Sequence, residues 1–99
     1  MLLKEFERWL IECTTTKKGI LLSQSTAKKY SRAIYTISNE MMENNIINRS
    51  LTNILDSFEL EKDIRKIRNN DIFIKKNEKG NKMYSNALDY YIAFIKDKH

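Results

Sequence analysis

"SQSTAKKYSRAIYTISNEMMENN", Ser23 to Asn45, is the stretch that decides how the rest of this chain reads. Ala27, Tyr30, Ile34, Ile37 and Met41 recur every three or four residues, the spacing that lines up one face of an α-helix. Ser23 or Ser25 supplies an N-cap, because a serine hydroxyl can accept one of the first unpaired backbone N–H groups. "ENN" at Glu43–Asn45 supplies the stop. Lys28, Lys29, Arg32 and Asn39 fall mainly off the apolar face. The lysines come early and the glutamates late, which opposes the helix dipole at about a few tenths of a kcal/mol per charge. Packing can offset that cost, and the N-terminal half of the helix is left cationic.

The same periodicity extends outward in both directions. Leu2, Phe6, Trp9 and Cys13, widened by Leu3 and Leu10, predict a helix over about Leu2–Glu12. "TTTKKG" then breaks it, with three β-branched threonines and Gly19. Beyond "IINR", Ser50 is a second N-cap candidate, and Leu51, Ile54, Leu55 and Phe58 predict a short helix. Leu60, Ile64 and Ile67 continue an apolar face, giving two short helices or one bent one. Glu59 and Asp63 stand at spacings that allow ion pairs along the helix. "NNDIFIKKNEKGN" reads as a loop, with an extended piece at Ile72–Ile74. A last helix is predicted from about Asn81 to Asp97, with Tyr84, Leu88, Tyr91, Ile92 and Ile95 on one face. Ala87, Tyr90 and Phe94 widen that face past half the circumference, as expected of a helix surrounded by others.

Composition agrees with this pattern. The 99 residues fit one domain, 41% are hydrophobic, and there are two glycines and no proline. An all-β chain needs turn residues at short intervals, and this one lacks them. The expectation is an all-α, compact single-domain bundle of about five helices. No apolar run approaches the roughly 20 residues of a membrane span. Glu5, Glu7 and Glu12 make the start unlike a signal peptide. The single cysteine, Cys13, excludes an internal disulfide and points to a reducing cytoplasm.

The net charge of +5 is unevenly spread. Between Glu12 and Glu40 stand Lys17, Lys18, Lys28, Lys29 and Arg32 with no acid among them. From Glu40 to Asp63 six acids face only Arg49 and Lys62. From Ile64 to Lys82 seven basic residues face Asp71 and Glu78. Two basic blocks bracketing an acidic one suit an anionic partner such as nucleic acid. An ordinary solvated surface in a lysine-rich protein is the alternative.

Little in the chain has the chemistry of an active site. His99, the last residue, is the only histidine, so a histidine-based catalytic arrangement has no support. One cysteine and one histidine do not make a standard zinc site. Gly19 and Gly80 are isolated and form no phosphate-binding loop. Asp71 with Lys75 or Lys76 is the nearest approach to a metal-dependent nuclease pair, and almost any sequence of this composition offers one. Cys13 reads as a small buried residue. The expectation is a domain without catalytic activity and without a cofactor or metal.

A binding surface is the stronger candidate. Lys17 and Lys18 lie in the first loop, with Lys28, Lys29 and Arg32 at the start of the second helix. A helix N-terminus beside basic side chains suits phosphate, and Ser25 and Thr26 add donors there. Lys75, Lys76 and Lys79, within the larger set Arg65 to Lys82, are second-rank candidates. If both sets share one side, they make a cationic face for a duplex backbone. Gln24, Arg32 and Asn39 are possible base contacts.

Two resemblances follow from these residues. "FERWL" at Phe6–Leu10 and "LSQSTAKKYSRAI" at Leu22–Ile34 are similar to the core-binding domain of tyrosine recombinases, a small helical domain that grips DNA. A resemblance over nearly the whole chain is to the helical N-terminal domain found ahead of nuclease or methylated-base restriction modules in bacterial restriction proteins. It is carried by the serine–threonine, lysine–tyrosine and isoleucine pattern of Ser25–Ser38, by "INRSLTNILD" at Ile47–Asp56, and by "KGNKMYSNALDYYIAFI" at Lys79–Ile95. It implies that residues 1–99 form an N-terminal or accessory module, associated with double-stranded DNA, with catalysis in a following domain or partner. A rival expectation is a protein-interaction module docking a nuclease or second subunit. That reading gives the work to the acidic 40–63 segment and to Trp9, Tyr35 or Tyr90.

Overall fold

A computed structural model describes residues 2–13 and 23–98, and every structural statement below concerns these. Five α-helices follow one another: α1 (Leu2–Cys13), α2 (Gln24–Glu43), α3 (Ser57–Arg68), α4 (Asp71–Lys79) and α5 (Met83–Lys98). A single 3-10 turn, Leu51–Asn53, lies between α2 and α3. No strand occurs among the described residues. The fold is an all-α single-domain bundle, 36 × 30 × 19 Å.

α2 forms as its periodicity predicts. Ser23, not Ser25, is the cap: its side chain accepts the Thr26 N–H at 3.2 Å. Ala27, Ile34, Ile37 and Met41 are buried, with Tyr30 half-buried beside them. The helix ends at Glu43, Asn44 is its C-cap, and Asn45 beyond it has φ 60°. The Ile46 N–H reaches the Met41 carbonyl at 2.9 Å and the Asn45 N–H reaches Met42 at 3.1 Å, the paired bonds of a Schellman motif. After glycine, asparagine is among the residues that best tolerate this left-handed position.

α5 is the central element and packs against all four other helices. Ala87, Leu88, Tyr91, Phe94 and Ile95 are buried on it. α1 docks through an aromatic cluster in which Phe6 stands edge-on to Tyr91 (5.0 Å between centroids) and beside Phe94 (5.4 Å). Trp9 closes the cluster against Phe94, and its indole N–H donates to Asp97 at 2.8 Å.

Two expectations need correction. The loop with an extended piece at Ile72–Ile74 is instead helix α4. The Asn70 side chain caps it by accepting the Ile72 N–H at 2.9 Å, and Asp71 at its start with Lys76 and Lys79 at its end complement the dipole. Only Phe73 of this helix is fully buried, so it displays no repeating apolar stripe. The short helix expected through Leu51, Ile54, Leu55 and Phe58 shrinks to the 3-10 turn. Ile54 is extended, and Asp56 recaps the chain by accepting the Glu59 N–H. Leu51 and Ile54 are buried, whereas Leu55 and Phe58 are exposed.

The glycine–asparagine turn before α5 has a specific geometry. Gly80 keeps a negative φ of −92°, and the left-handed residues are Asn81 and Lys82. A Cβ at Gly80 would meet the Tyr84 ring at 3.0 and 3.2 Å, so a larger residue there requires the ring to shift by a few tenths of an ångström. Asn77 joins α4 to α5: its carbonyl accepts the Lys82 N–H at 2.9 Å, and its side chain accepts the Ser85 N–H at 3.0 Å. The second bond caps α5 from the preceding helix, so α5 starts at Met83 and not at Asn81.

Tyr91 is fully buried, and its hydroxyl has no hydrogen-bond partner among the described residues. Burial pushes its pKa well above the usual 10.0. A raised folded pKa means that the unfolded chain ionises first. Stability is therefore fully held below pH 10 and falls as pH rises toward the folded pKa. Tyr91→Phe removes an unpaired buried hydroxyl and this pH dependence together. It is expected to raise stability by about 1 kcal/mol at neutral pH and to flatten part of the alkaline loss, measured by urea denaturation at pH 7 and above pH 10.

Candidate nucleic-acid interface

The candidate cations divide sharply once their neighbours are known. Lys28, Lys29 and Arg32 are exposed on α2 and have no ion-pair partner among the described residues. With Ser25, Ala33 and Thr36 they line one wall of a groove of about 340 Å³ whose far wall is Met83 and Tyr84 at the start of α5. No acid lines this groove. A second groove, about 420 Å³, runs along the other side of α2 and is lined by Gln24 and Lys28 against Lys4, Glu7, Arg8, Ile11 and Glu12 of α1. The N-terminal half of α2 is thus a ridge between two furrows, with Lys28 facing both.

Local energetics mark the same half-helix. α3 and α4 carry acids in the first turn and bases in the last. α2 has neither, and its lysines sit toward the positive end of its dipole. Ser25 is exposed and Thr26 is half-buried. The Thr26 N–H is already taken by Ser23, whose hydroxyl also donates to the Thr26 hydroxyl at 2.9 Å. Ser25 Oγ lies 3.2 Å from the same Ser23 hydroxyl, so both Ser25 and Thr26 take part in the helix start, Ser25 being the more exposed. Lys17 and Lys18 lie outside the described residues.

The second basic block is partly committed to the fold, through three of its seven members. Lys76 pairs with Glu40 of α2 at 3.5 Å and lies over the Tyr84 ring, 5.3 Å from its centroid. Lys66 pairs with Asp63, and Arg68 pairs with Asp89. Lys75 and Lys79 are exposed on α4 without an ion-pair partner among the described residues. Tyr84 connects the two blocks, because the ring that holds Lys76 also walls the groove of Lys28, Lys29 and Arg32. Sequence reasoning placed Tyr84 in the core; its signal as a junction residue is the glycine four positions earlier, which clears space for the ring.

The rival surface is similarly divided. Glu59 and Asp63 are tied to Arg49 at 3.2 and 3.7 Å, Glu61 is tied to Lys96 at 3.2 Å, and Glu40 is tied to Lys76. Most of the acidic segment therefore closes the bundle on itself. Trp9 is held by Phe94 and Asp97, and Tyr90 packs on Tyr30 at 5.3 Å. Burial first and then Tyr90 push the Tyr30 hydroxyl pKa up, with an Asn86 hydrogen bond pulling it back. Tyr35 is left exposed, on the outer face of α2.

Among the described residues no group of three or more His, Cys, Asp or Glu could hold a metal ion. Asp71 stands in the first turn of α4 while Lys76 is turned to Glu40, so these two do not form a pair. No described helix is long and apolar enough to cross a membrane. Compared with protein-family models, curated proteins and solved structures, the chain matches none.

Proposed function

We propose that this domain is a non-catalytic DNA-binding module of a restriction-type system, acting in the cytoplasm and contacting duplex DNA mainly through phosphates. The observation that carries this reading is the acid-free groove wall of Lys28, Lys29 and Arg32. Three exposed cations on one helical face, without ion-pair partners among the described residues, suit a polyanion's backbone. Ser25 assists at the rim. Lys75 and Lys79 extend the contact, and Lys76 holds Tyr84 in place. The restriction setting rests on the sequence resemblance, which also makes the domain an N-terminal or accessory module serving a nuclease domain or subunit.

Titrating a fluorescent duplex across a salt series tests this. Binding is expected to weaken steeply with salt, with a log–log slope of about −0.9 per phosphate contacted. No binding at low salt would remove the reading. That outcome would favour a protein-docking module, for which the specific observation is the exposed pair Leu55 and Phe58, 54% and 67% accessible.

A further inference from the structure

Tyr35 is 57% exposed although it belongs to the longest helix of the bundle. Lys28, Arg32 and Tyr35 stand at i, i+4 and i+7, so the aromatic ring continues the cationic line along the outer face of α2. That face is the crest of the ridge between the two grooves. From Ser25 to Tyr35 it spans about 15 Å at 1.5 Å per residue. α2 packs its inner face against α1 and α5 and leaves its outer face, with Lys28, Lys29, Arg32 and Tyr35, exposed. A helix presented in this way suits the major groove of B-form DNA, which is about 12 Å wide and admits one helix. Cations at the foot of such a helix meet the phosphates that border the groove, and the side chain further along its crest meets base edges.

We infer that α2 enters the major groove of duplex DNA and that Tyr35 is a specificity-determining residue, reading base edges where Lys28, Lys29 and Arg32 hold the backbone. This rests on the DNA-binding reading above and adds a base preference to it. An exposed tyrosine offers an apolar ring edge to the thymine methyl group and a hydroxyl to base acceptors or donors. Charge complementarity selects the occupant: the crest and the groove towards α5 present cations and no acid as far as Thr36.

The test is selection of bound sequences from a random duplex pool, combined with a salt series on the winning and on an unrelated duplex. The wild-type protein is expected to enrich a short motif. Tyr35→Ala is expected to flatten the preference at one or two positions and to leave the salt slope unchanged. Lys28→Gln with Lys29→Gln is expected to lower the slope by about two and to keep the motif. Tyr35→Phe separates the ring from the hydroxyl, and preservation of the motif assigns the reading to the ring. Salt-dependent binding without any enriched motif, or a motif unchanged in Tyr35→Ala, overturns this inference and leaves the phosphate-binding function standing. Absence of any DNA binding overturns both.

Discussion

Phe6→Ala is expected to destabilise the domain by about 3–5 kcal/mol, the largest single-residue effect we predict. Phe6 is fully buried, and its ring touches the aromatic cluster that fastens α1 to α5. Truncation removes both its apolar transfer free energy and the contacts of Trp9, Tyr91 and Phe94 with it, and leaves a cavity that rigid helices close only in part. A domain this size has a total stability of about 5–15 kcal/mol, so the loss is a large fraction of the whole. The melting temperature is expected to fall by about 15–30 °C, read by circular dichroism. Phe58→Ala is the control. The residue type is the same, but Phe58 is 67% exposed, and its removal should change the melting temperature little. Equal effects of the two substitutions would contradict this packing.

The largest effect on binding is expected from reversing Lys28, Lys29 and Arg32 together to glutamate. Each lost phosphate contact costs about tenfold in affinity near 50 mM salt, so three cost about a thousandfold before repulsion is counted. All three side chains are exposed, so the fold should survive. The three positions lie beyond the first turn of α2, which begins at Gln24, so the reversal changes the helix-dipole energy little. Affinity should therefore collapse while the melting temperature holds. Unchanged affinity would exclude this face of α2 from the interface. A matching loss of both would show that the cations serve the fold.

That signature depends on a division within the basic residues that composition hides. Lys76 and Lys79 look alike as letters in a charge run, yet one is spent on Glu40 and Tyr84 and the other has no ion-pair partner among the described residues. Ion pairing is decided by which helices cross, and the partners here lie far apart in the chain: Lys76 with Glu40, Lys96 with Glu61, Arg68 with Asp89. The cationic face of α2 was legible in advance because all its members belong to one helix, where periodicity alone assigns the side. The groove beside it was not, because its other wall, Met83 and Tyr84, comes from a helix some fifty residues further along.

The helices followed the same rule. α2 and α5 bury several residues each at three- and four-residue spacing, and α1 buries Phe6 and Leu10 with Leu2, Leu3 and Trp9 half-buried beside them, so the repeating burden of apolar side chains announces these helices. α4 buries Phe73 alone and is held by a cap, its charges and the Asn77 bridge to α5. Its Ile72 and Ile74 flank that one anchor and mimic an extended strand. By itself, the sequence determined the helical class, the apolar faces of the long helices and the cationic half of α2, because each is a property of residues within one or two turns of each other. The tertiary structure decided which lysines are spent, which phenylalanine is left out of the core, which ring crowds Gly80 and where α2 stands as a ridge. Those depend on the relative placement of α2, α4 and α5, set by packing and ion pairs between residues distant in the chain.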